Sequence, residues 1–168
     1  MKAIIFCLLM IKCSLLFGQD SACFKKTLDK FTDVTTYNLR DIIKLDEKTT
    51  FYAIAGGKGS SKASFTIFFD CPGIVSVDEK SYALLLFADG TKLKLGNSSS
   101  YNLDGSFMIT FWDKAFYNKP LKEFLSKKIK GIRLSGFSTT YDVDLTSEVS
   151  DEFYSGVTCL YNEWKKEK

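Results

Sequence analysis

Apolar and polar residues alternate with a period of two along much of this chain. In "SFTIFF", Phe65, Ile67 and Phe69 alternate with Ser64, Thr66 and Phe68, and in "FMITFW" Phe107, Ile109 and Phe111 do the same. Such runs of aromatic and β-branched residues predict half-buried strands. Between them "YALLLFADGTKLKL" predicts a hairpin: a strand over Tyr82 to Phe87, a type I′ turn at Asp89-Gly90, and a return strand with Leu93 and Leu95 inward. "TTFYAIAGG" and "SKASFTIFF" predict a second hairpin, and "KGIRLSGFSTTYDVDL" two further strands, with Ile132 and Leu134, then Tyr141, Val143 and Leu145, as the inward residues. Two weaker strands are expected over Val34–Leu39 and Ile42–Leu45.

The period changes in two places. After Pro120, residues Leu121, Phe124, Leu125 and Ile129 fall on one helical face, which predicts a short helix over about 120–129, with proline suited to its first turn. Near the C-terminus Val149, Phe153, Val157, Leu160 and Trp164 recur at helical spacing, predicting an amphipathic helix over about 147–164. The predicted fold is α+β: an antiparallel sheet of six or seven strands with both helices packed on one face, the alternative being an all-β sandwich.

The N-terminal "MKAIIFCLLMIKCSLLFGQD" has the layout of a cleaved secretory leader, residues 1–18, followed by one domain over 19–168. Lys12 interrupts the apolar run, so a membrane span is not expected once the leader is removed. Removal also takes Lys2 and Lys12, leaving 21 basic against 20 acidic residues. That near-neutral, interspersed charge argues against nucleic acid as a partner. Three cysteines lie beyond the leader, Cys23, Cys71 and Cys159. An oxidising compartment allows one disulfide among them, and all three pairings stay open.

The chain contains no histidine. Ser-His-Asp and Cys-His catalysis and histidine-ligated metal sites are therefore excluded. The stretch "AGGKGSSKASF" suggests a phosphate loop, but Gly59 stands where Ser or Thr should follow Gly57-Lys58, and a strand rather than a helix comes next. It reads instead as a hairpin tip. Carboxylates that could pair for glycan hydrolysis include Asp70, Asp78, Glu79, Asp89, Asp104, Asp113, Asp142 and Asp144, mostly at turns and strand ends, where Asp serves local hydrogen bonding. Neither a metal nor another cofactor is expected: "DLTSEVSDE" and "DGSF" lack the ligand spacing of a calcium loop.

The aromatic load, 15 Phe, 8 Tyr and 2 Trp, is the remaining candidate for recognition. If the helices cover the face of Phe111, then Trp112 and Phe68 share the open face of the sheet with Met108 and Thr110. With Lys58 from the glycine-rich loop they are the candidate binding residues. The polar loop "GNSSSYNLDGS" adds an N-x-S sequon at Asn97.

The segments "LLLFADGTKLKL", "PLKEFLSKKIKGIRLSG" and "SEVSDEFYSGVTCL" make the chain similar to small secreted or periplasmic proteins of Gram-negative bacteria that have no assigned activity. The resemblance implies a location and a fold and transfers no catalytic residue. The expected function is that of an exported, non-enzymatic domain binding a protein or a surface glycan. The alternatives are a carboxylate-based glycan hydrolase and an inhibitor or immunity-like partner of a secreted enzyme.

Overall fold

The computed structural model of the chain describes residues 23–58, 63–73, 75–112 and 118–166. The expected leader, the hairpin tip over 59–62 and Asp113 lie outside the described residues.

The described residues form ten strands and two helices: β1 (Phe24–Leu28), β2 (Thr35–Leu39), β3 (Ile43–Lys44), β4 (Thr50–Lys58), β5 (Ser64–Asp70), β6 (Tyr82–Phe87), β7 (Lys92–Gly96), β8 (Ser106–Trp112), α1 (Asn118–Ser126), β9 (Ile129–Ser135), β10 (Thr140–Asp144) and α2 (Ser147–Lys166). The fold is α+β, as the periodicity predicts. The strands, however, divide between two antiparallel sheets. The first runs β1-β2-β4-β5-β8, with β3 paired to β4, and the second runs β10-β9-β6-β7.

Period-two alternation sorts each strand cleanly. On β4, β5 and β8 the residues Phe51, Ala53, Ala55, Phe65, Ile67, Phe69, Phe107, Ile109 and Phe111 point inward and are buried. On the second sheet Ala83, Leu85, Phe87, Leu93, Leu95, Ile132, Leu134 and Val143 do the same, and a single apolar cluster joins both sheets to both helices. Phe153 of α2 is the hinge of that cluster. Its ring lies 4.2 Å from Phe51 and 5.9 Å from Phe124 of α1, while Phe124 in turn stacks on Phe111 at 5.9 Å. Trp164 closes the far end of α2 against Phe65. Gly156, a weak helix former, lets α2 approach β2: a Cβ there would lie 3.2 Å from Leu39 Cδ1.

Several local expectations are revised. Helix α1 ends at Ser126, and Ile129 opens β9 instead of ending the helix, because its side chain fills the core from the strand. The Asp89-Gly90 turn is not type I′. Only Gly90 has positive φ, +82°, and its N–H donates to the Phe87 carbonyl at 3.0 Å, so a type I turn followed by a left-handed glycine makes the reversal. Strand β1 was not foreseen, because "FKKTL" buries only Phe24 and so carries no alternation. It pairs along its length with β2.

Among the described residues one disulfide forms, between Cys23 and Cys159, 136 residues apart, tying the start of β1 to α2. Cys71 remains a free, buried thiol whose Sγ donates to the Gly105 carbonyl at 3.3 Å. Burial pushes its pKa up to about 12, with the nearby charges of Asp70 and Asp46 adding to the effect.

Candidate functional site

The outer face of the first sheet is built by the residues that alternate with the core. Antiparallel register aligns them in rows: Tyr52 opposite Phe68 and Phe68 opposite Met108, then Ile54, Thr66 and Thr110, then Gly56, Ser64 and Trp112. Both helices pack on the opposite face, through Phe153, Phe124 and Trp164. Trp112 is 40% exposed, and Phe68 and Met108 are half-buried. The sheet thus places Phe68 and Trp112 on one open face of neighbouring strands, two pleat periods apart, or about 13 Å along the strand.

Tyr52 belongs to this platform and escaped the sequence reading. Its ring stacks on Phe68 with centroids 4.4 Å apart and planes within 5°. The signal was present in "TTFYAIAGG", where Tyr52 alternates with Phe51, but only the register of the β4–β5 hairpin sets it beside Phe68. Burial raises the pKa of Tyr52, and the negative charge of Asp70 adds to the shift. Thr66 and Thr110 hydroxyls lie 3.3 Å apart in the row between Phe68 and Trp112, and Ser106 Oγ donates to Asp70 Oδ1 at 2.5 Å at the margin beyond Phe68. Lys58 ends β4 opposite Thr35; its side chain lies outside the described residues.

Strand β8 is the edge of the sheet, and its backbone is already engaged there. Met108 N–H donates to Asn97 Oδ1 at 3.0 Å, Ser98 N–H to the Met108 carbonyl at 2.6 Å, and Thr110 N–H to Ser98 Oγ at 3.3 Å. A partner therefore cannot add a strand over Met108–Thr110 without displacing this loop. The sequon residue Asn97 works as the staple, since its Nδ2 also donates to the carbonyls of Asp78 and Ser99 at 2.8 and 3.0 Å.

Several of the described carboxylates have local donors that favour their charged form. Asp89 is held low by the Lys127 ammonium and by Thr91, Asp78 by the Ser81 hydroxyl, and Asp142 by Arg133, which grips it through Nε and Nη2 at 2.7 and 2.6 Å. Asp46 is pushed up by partial burial, but donors from Lys48, Tyr141 and Thr49 more than offset this and leave it low. A glycosidase acid needs the opposite shift. Among the described residues no cluster of three or more His, Cys, Asp or Glu side chains is arranged to hold a metal ion.

The fold and site define an α+β domain with a Cys23–Cys159 disulfide and an open aromatic sheet face; the disulfide marks an oxidising compartment. Among the described residues no helix is long and apolar enough to cross a membrane. No protein-family model matches the chain, and no curated protein or solved structure matches it significantly.

Proposed function

We propose that this chain is an exported, non-enzymatic binding domain, secreted or periplasmic, that engages a protein partner through the outer face of its first sheet. The observation that carries this reading is the row Tyr52, Phe68 and Met108, with Trp112 at the end of the same face, opposite to the helices. Rings and methionine on an open face are the residue types enriched where proteins recognise each other. A glycan is the weaker fit. Sugars stack on exposed ring faces, whereas Tyr52 and Phe68 turn their faces to each other and offer edges outward. An inhibitor or immunity-like protein, which works by occluding a secreted enzyme, is one form such a partner domain takes.

The test is affinity capture from the extracellular or envelope fraction with three baits: the mature chain, Trp112→Ser, and Tyr52→Ser/Phe68→Ser. The reading expects a protein recovered by the first bait and lost with both variants, each checked for native near-ultraviolet dichroism. Recovery that ignores the variants overturns it. So does binding of the mature chain to a glycan array that both variants abolish.

A further inference from the structure

The outer face of the second sheet carries a pattern that is complementary to itself. Register across β7, β6, β9 and β10 gives one row reading Lys92, Leu86, Gly131, Asp144 and a second reading Lys94, Leu84, Arg133, Asp142. Cations thus stand on one edge strand and carboxylates on the other, all exposed, with half-buried leucines between them. Gly131, having no side chain, leaves an open depression of about 270 Å³ bordered by Leu86, Arg133 and Asp144.

We propose that this face is the contact between two copies of the chain. A two-fold axis parallel to the strands, running between β6 and β9, reverses each row while keeping its height. Lys92 of one copy then lies over Asp144 of the other, and Lys94 over Asp142. Leu86 lies over the depression at Gly131. The interface is isologous, so every contact occurs twice. A two-fold axis across the strands would instead set lysine over lysine, so charge selects between the two arrangements. Arg133 already grips Asp142, and Lys94 sits 3.7 Å over the Tyr82 ring, so Lys92 and Asp144 are the pair to perturb first. Four strands of about five residues present a footprint of roughly 300 Å². A standard interface buries about 800 Å² per partner, so the dimer is weak and concentration-dependent.

Sedimentation equilibrium of the mature chain over a wide concentration range at low salt tests the proposal. A monomer–dimer equilibrium is expected that weakens as salt rises. Lys92→Glu and Asp144→Lys, both at exposed positions and each checked for native near-ultraviolet dichroism, should each weaken it at least about tenfold, since each creates two like-charge contacts. Mixing the two variant proteins should restore association as a heterodimer, because the new glutamate then faces the new lysine at one contact and the native Lys92–Asp144 pairing is kept at the other. A chain that stays monomeric throughout, variants that associate like the parent, or a mixture that fails to associate would each overturn the proposal.

Discussion

Gly105 shows how much a single residue decides. It opens β8 at φ +72°, and a Cβ there would lie 2.3 Å from the Cys71 carbonyl oxygen and 3.2 Å from that of Val75. Its own carbonyl accepts both the Cys71 N–H, at 3.1 Å, and the Cys71 thiol. Gly105→Ala combines left-handed strain with a backbone clash, and we expect it to cost about 3 kcal/mol or more, read as a lower denaturant midpoint at unchanged slope. In sequence this glycine is one letter of the polar run "NLDGS", legible as a turn. Its close approach to Cys71, 34 residues earlier, is a tertiary fact.

At the scale of elements, the disulfide and α2 act together. Cys159 lies on α2, between Val157 and Leu160, whose buried side chains hold the helix to the core, and bonds to Cys23 beside β1. Strand β1 buries only Phe24 along its length, so apolar packing alone holds it weakly. Cys159→Ser should cost roughly 2–5 kcal/mol, and hydrogen exchange should show the largest loss of protection in β1. Uniform loss of protection across the molecule would contradict the idea that the bridge chiefly secures this edge. The helix itself was legible, because Val149, Phe153, Val157, Leu160 and Trp164 repeat at helical spacing. Its cysteine partner was not: three cysteines allow three pairings, and only the folded positions choose among them.

For the whole molecule, the depressed carboxylates set the acid response. Asp46, Asp78, Asp89 and Asp142 all titrate below the ordinary range in the folded chain. Their stabilisation is fully present above the unfolded value of about 4 and is lost as pH falls through the folded values. The thermal midpoint should therefore hold between pH 7 and 5 and drop below about pH 4. Asp46→Asn, which removes the charge and one of the two oxygens that accept from Lys48 N–H and Thr49 N–H (Oδ1) and from the Tyr141 hydroxyl (Oδ2), should lower the plateau and shallow the acid limb. Cys71 acts at the other extreme. Its raised pKa means stability is held below the ordinary thiol value and lost as pH climbs toward about 12, because unfolding then releases a proton.

Local alternation and spacing were enough to determine most strands, both helices and the inward set from Phe51 to Trp164, because a strand or helix must turn every second, third or fourth residue to the core. Which side Trp112 and Phe68 take follows from the same parity. Three things were decided only by the tertiary structure. The strands split into two sheets, Cys23 found Cys159, and Tyr52 came to stack on Phe68. Each depends on contacts between residues distant in sequence or on pairing register, and a period carries no information about which distant partner a strand meets.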